Sequence, residues 1–159
     1  MNHSFQDVEW QHSANKGEWS ELYALYKLLV DQQLYPIAKK QHISANLRMP
    51  ILSILRHTDE ELSSEYRIDD EGCINIKPKG CEVIKKEKAE FEKHSTLLLD
   101  AIKRGAEKAA FDIAPLDVFR KETYCPKIKC FAKTLAPPFT LVGGRKNYER
   151  CRKQNSDNP

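Results

Sequence analysis

Leu22, Leu25, Leu28 and Leu29 recur at helical spacing within an otherwise polar stretch and make one apolar face. They predict a helix over residues 17–31. Asn15 is placed to accept from the first free backbone N–H groups, and Glu18, three residues on, completes a capping-box-like pattern. Pro36 limits how far the helix can run. The period then changes. Residues 33–39 read as a short strand that Pro36 confines to a sheet edge. The run Met49–Arg56, short, apolar and containing β-branched residues, reads as a buried strand. Glu65–Ile68 and Cys73–Lys77 alternate polar and apolar residues around Asp69-Asp70-Glu71-Gly72, whose glycine can supply a positive φ, so a hairpin is expected. Helical spacing returns over 81–104 through Val83, Ile84, Ala89, Phe91, Leu97, Leu98, Ala101 and Ile102, with Gly105 as C-cap. Pro115 opens a short helix, and Cys125–Lys129 reads as the start of a strand. Beyond Cys130, the Pro137-Pro138 and Gly143-Gly144 pairs and a basic finish show neither period.

These elements add up to an α+β fold: an N-terminal helix packed on an antiparallel sheet drawn from residues 33–77, with a second long helix at 81–104. The core is expected where Leu22, Leu25 and Leu29 meet Ile51, Leu52, Ile54 and Leu55. Residues 1–129 form the folded part, and residues 130–159 a basic, poorly packed tail. Residues 1–14 are a polar lead-in that Phe5 and Trp10 can anchor to the body.

Composition sharpens this picture in three ways. With 159 residues, 40% of them hydrophobic and 31% charged, the chain fits one soluble domain with a modest core. No apolar run approaches the roughly 20 residues that span a bilayer, and the first residues lack the basic and apolar blocks of a secretory leader. Five cysteines without regular spacing suit a reducing cytoplasm better than a disulfide framework. The charge is uneven. Residues 1–119 carry 16 Lys and Arg against 20 Asp and Glu, whereas residues 120–159 carry 10 against 3, which together give the overall +3. A basic end suits phosphate backbones or acidic surfaces, and it equally suits a solvated tail.

Generic motifs supply little chemistry. Cys125 and Cys130 are five positions apart and Cys73 and Cys81 eight, so neither pair has the close spacing of a zinc site, and the histidines are scattered. Gly143-Gly144-Arg145-Lys146 lacks the spacing of a phosphate loop. What remains is the pair Glu18 and Glu21. Each lies one turn before a leucine of the stripe, so both carboxylates border the inward face. Acids in a first turn also simply favour the positive end of the helix dipole.

The string Asn15-Lys16-Gly17-Glu18-Trp19-Ser20-Glu21-Leu22-Tyr23, continuing to Lys27-Leu28-Leu29 and Leu34-Tyr35, resembles the N-terminus of HpaII-type restriction endonucleases. Pro50–Arg56, the hairpin reaching Ile74 and Ile76, and Ala110-Phe111 through Phe119 to Lys127-Ile128-Lys129 are similar too. The resemblance covers roughly residues 14–129. It implies a type II enzyme that cuts double-stranded DNA at a short palindrome such as CCGG, often as a two-fold dimer. It also implies Mg²⁺, a hard cation held by carboxylates beside a lysine. On that basis Glu21 is the first candidate as metal ligand and catalytic carboxylate, and Glu18 the second. Lys127, Lys129, Arg145 and Lys146 are the candidates for DNA contact. The family continues after Lys127-Ile128-Lys129 with an aspartate-bearing strand and a later lysine motif. Neither is found here, and from Phe131 the resemblance is lost. The expectation is therefore a truncated member with an incomplete restriction-endonuclease-like core, a frameshift or premature stop being the cause, and without activity alone. Two other readings stand beside it: a non-enzymatic α+β module that binds DNA or protein through residues 120–159, and a structural fragment.

Overall fold

In the computed structural model, residues 9–34, 47–57, 63–105, 109–129, 131–135 and 140–141 are described. The elements run in the order β1 (Ser13–Ala14), α1 (Lys16–Asp31), β2 (Gln33–Leu34), β3 (Leu47–Pro50), β4 (Ser53–His57), β5 (Ser63–Ile68), β6 (Ile74–Pro78), β7 (Ile84–Lys86), α2 (Lys88–Arg104), β8 (Phe111–Asp112), α3 (Asp117–Glu122), β9 (Phe131–Leu135) and β10 (Thr140–Leu141). The fold is mixed α+β with antiparallel pairing, as the period changes predict. No helix among the described residues is long and apolar enough to cross a membrane.

α1 begins where its sequence says it should. Asn15 is extended at φ −78°, and its Oδ1 accepts from the Glu18 N–H at 2.9 Å. The buried face is wider than the leucine stripe: Trp19 and Tyr26 join Leu22, Leu25, Leu29 and Val30. The helix closes on Gln32 in the left-handed region at φ 57°, a conformation that costs a non-glycine residue. Three bonds hold it there. The Gln32 N–H reaches the Leu28 carbonyl, its side chain donates to the Gly72 carbonyl, and its own carbonyl accepts from Ile51.

The main sheet has five strands in the order β7-β6-β5-β4-β9. Its inward face carries a ladder in which Ile54 stands opposite Tyr66, Tyr66 opposite Ile76, and Ile76 opposite Ile84. Such cross-strand neighbours are the unit of sheet stabilisation. α1 and α2 pack on each other, and their buried residues join those of the sheet in one core. At its centre Tyr26, Phe91 and Phe119 meet edge to face, with centroids 5.1–5.7 Å apart.

The hairpin read at residues 65–77 is β5 and β6, with Gly72 at φ 82° in the turn. Elsewhere the structure corrects the sequence reading. The run 49–56 is two strands in two sheets: β3 pairs with β2 and β10, β4 with β5 and β9. The chain switches at Ile51-Leu52, so Ile51 and Ile54 enter the core while Leu52 is 58% exposed and Leu55 only half-buried. The helix expected from residue 81 starts at Lys88. Ile84–Lys86 is claimed first as an edge strand against Ile74–Ile76, and Glu87 then caps the helix, its N–H bonded to the Glu90 carboxylate. Gly105 does cap α2. Cys125–Lys129 is an irregular corner, and the strand begins at Phe131. Within the stretch read as an unpacked tail, β9 pairs along the whole of β4 and β10 pairs with β3. Phe5, residues 35–39, Pro137-Pro138 and residues 142–159 lie outside the described residues.

Candidate functional site

The start of α1 meets the corner 124–128, and one residue joins them. Gln11, half-buried ahead of β1, donates through Nε2 to a Glu18 carboxylate oxygen at 2.9 Å and to the Ser13 carbonyl at 3.0 Å. Its Oε1 accepts from the Ile128 N–H at 2.9 Å, and its own N–H reaches the Pro126 carbonyl at 2.9 Å. The capping box expected at Asn15 is thus half formed. Asn15 takes the Glu18 N–H, but the Glu18 carboxylate turns to Gln11.

Two arginines hold the same corner from inside. Arg120, 1% exposed, donates through Nε to the Cys125 carbonyl at 3.2 Å and through Nη2 to the Pro126 carbonyl at 3.0 Å. Its guanidinium lies between the Trp10 and Trp19 rings, 5.8 and 6.0 Å from their centroids, an arrangement that suits a flat, weakly hydrated cation. Arg56, 3% exposed on β4, donates through Nη2 to the Lys127 carbonyl. Trp10 also meets Tyr124 edge to face, as an anchor of the lead-in should. Tyr124 is left-handed at φ 48°, turning the end of α3 into the corner. Burial pushes the Tyr26 hydroxyl well above the usual phenol range, with Cys125 and Tyr66 adding to the rise, so it stays neutral in the core.

The predicted site residues are therefore placed as follows. Glu18 is half-buried and faces Gln11; Glu21, one turn on, is exposed. Lys127 is half-buried, with its carbonyl fixed by Arg56, and Lys129 is exposed. The structure brings Glu18 and the Lys127–Lys129 segment together through Gln11. Arg145 and Lys146 lie outside the described residues. Sequence reasoning missed Gln11, Arg56 and Arg120. Nothing in a polar lead-in marks one glutamine, and arginines read as surface because they are almost never fully buried unless paired.

Mg²⁺ takes six oxygens in an octahedron, commonly one or two of them from protein carboxylates. Among the described residues no three His, Cys, Asp or Glu converge to hold a metal ion. One Glu18 oxygen already accepts from an amide, and Glu21 adds a single further carboxylate. Two carboxylates are the protein share that Mg²⁺ commonly takes, with water and phosphate oxygens as the rest of its shell.

Known proteins place the chain more firmly. The family model described as HpaII restriction endonuclease matches residues 15–135, which carries the likeness beyond residue 129 and through β9. The type II restriction enzyme HpaII of Haemophilus parainfluenzae is 38% identical over 110 residues, 69% of this chain and 30% of that enzyme. The chain thus spans about 30% of the length of this curated relative. No solved structure matches. With the family match covering every described element except β1 and β10, the chain belongs to the HpaII restriction endonuclease family.

Proposed function

We propose that this chain is part of a type II restriction endonuclease, acting in the cytoplasm on double-stranded DNA at a short palindrome such as CCGG, and that it does not cut by itself. The observation that carries this reading is the family match over 15–135, together with a glutamate-bearing helix held against a lysine-bearing corner. Glu21 and Glu18 are the candidate carboxylates. Lys127 and Lys129, with Arg145 and Lys146, are the candidate contacts to phosphate. Mg²⁺ is the cofactor the family implies, and two-fold pairing is the assembly a palindrome implies. Inactivity is the reading supported by the family's aspartate-bearing strand and later lysine motif, neither of which is found in this sequence.

The test is plasmid DNA containing CCGG, at low salt with Mg²⁺, with EDTA and Glu21→Ala as controls. A folded chain should bind but leave the plasmid intact. Metal-dependent cuts that vanish in Glu21→Ala would show a complete centre and overturn the inactivity. Binding should weaken steeply with salt, the logarithmic slope falling by about 0.9 for each phosphate-contacting lysine removed. Affinity indifferent to salt would remove DNA as the partner.

A further inference from the structure

Gln11 lies before residue 15, outside the residues that the family model matches, yet its side chain makes three hydrogen bonds in the candidate site. Its amide is bipolar, and both poles are used. The nitrogen holds the Glu18 carboxylate and the oxygen holds the Ile128 N–H, between the two candidate lysines. Its backbone N–H and Arg120 share the Pro126 carbonyl. One side chain thereby pairs with both a candidate carboxylate and the lysine segment.

We propose that Gln11 is a positioning residue, which fixes the Glu18 carboxylate and the Lys127–Lys129 backbone in one relation so that DNA meets both together. This rests on the reading that those lysines contact DNA. The bridge pre-organises the corner. Lysines on a loose corner must be ordered at the moment of binding, and that ordering weakens the complex. Only a group that donates and accepts at once can serve, because Glu18 needs a donor and Ile128 an acceptor. The bridge is also reversible in sense. Glu at 11 and Gln at 18 would keep the bonds to residue 18 and to Ile128, lose the one to the Ser13 carbonyl, and leave the net charge of the chain unchanged.

Four variants of the full chain test this: Gln11→Ala, Gln11→Glu, Glu18→Gln, and Gln11→Glu combined with Glu18→Gln. Each is confirmed folded by circular dichroism at the assay temperature, and its affinity for a DNA duplex is measured alongside hydrogen exchange at Ile128. Gln11→Ala should bind about tenfold more weakly, the scale of losing hydrogen bonds to a charged partner. Its salt slope should stay unchanged, because no phosphate contact has gone, and its Ile128 amide should exchange faster. Gln11→Glu sets two carboxylates together and should bind more weakly while still protecting Ile128. The double variant keeps the bonds to residue 18 and Ile128 but not the one to the Ser13 carbonyl, so it should protect Ile128 and bind more tightly than Gln11→Ala. A purely structural role would lower the melting temperature of Gln11→Ala yet leave the affinity of the folded protein unmoved, and that result overturns the proposal. So does a double variant that stays as weak as Gln11→Ala. If the parent chain itself fails to bind DNA, the functional reading falls instead, while the exchange at Ile128 still reports the bridge.

Discussion

Tyr26 and Leu25 are adjacent on α1 and both 1% exposed, yet they should respond to substitution in opposite directions. The Tyr26 hydroxyl is buried and makes no hydrogen bond among the described residues. A buried hydroxyl without a partner costs roughly 1–3 kcal/mol, so Tyr26→Phe should be neutral or stabilising by up to about that much. Leu25→Asp would instead place an unpaired charge in the core and should cost about 4 kcal/mol or more. Urea midpoints with unchanged slopes measure both. A Tyr26→Phe variant that lost more than about 1 kcal/mol would reveal a partner for the hydroxyl. Lys93, exposed on α2, is the fitting surface control for Leu25. Lys86, which the charge run makes look like open surface, is ion-paired with Glu90 and Glu122 at 3.5 and 3.0 Å.

Among the elements, the β5–β6 hairpin holds a pH dependence of known sign. The Asp69 carboxylate accepts from the Asn75 amide and from the Cys73 and Glu71 N–H groups, with Lys85 near by. The Asn75 bond foremost, helped by the two N–H bonds and Lys85, holds its carboxyl below the usual carboxylate range. The folded form is thus the weaker proton binder. Its contribution is fully present above the unfolded value of about 3.9 and is lost as pH falls through the lower folded value. The stability difference between the parent and Asp69→Ala should be constant near neutrality and shrink below about pH 4. A difference that grew on acidification would mean that the turn is not held by the ionised carboxylate. The hairpin itself was plain in the sequence, because alternation and a glycine turn are both local signals. The start of α2 was not. Ile84 satisfies a helical period as well as a strand, and only its place opposite Ile76 decides between them.

At the scale of the whole molecule, one core ties α1, α2, α3 and the sheet, and the corner 124–128 is bound to it by Arg56 and Arg120. Unfolding should therefore be a single transition. The two tryptophans flank Arg120, so their fluorescence reports the corner, while far-ultraviolet circular dichroism reports the helices. The two curves should coincide in urea. An earlier fluorescence change would show the corner opening by itself, and Gln11 would then bridge two separately stable parts.

By itself the sequence determined the α+β class, α1 with its Asn15 cap, the hairpin and the family resemblance. Each rests on residues near one another in the chain, where spacing alone sets which side chains share a face. Glu18 could be singled out on the same ground, from its distance to the leucine stripe. Tertiary structure alone decided that Glu18 faces Gln11, that Arg56 and Arg120 turn inward to carbonyls of residues 125–127, and that residues 131–135 complete the sheet beside β4. The reason is the same in each case. Gln11 and Ile128 are 117 residues apart, and Arg56 and Lys127 are 71 apart. No local period can report a bond that exists only once the chain has closed those distances.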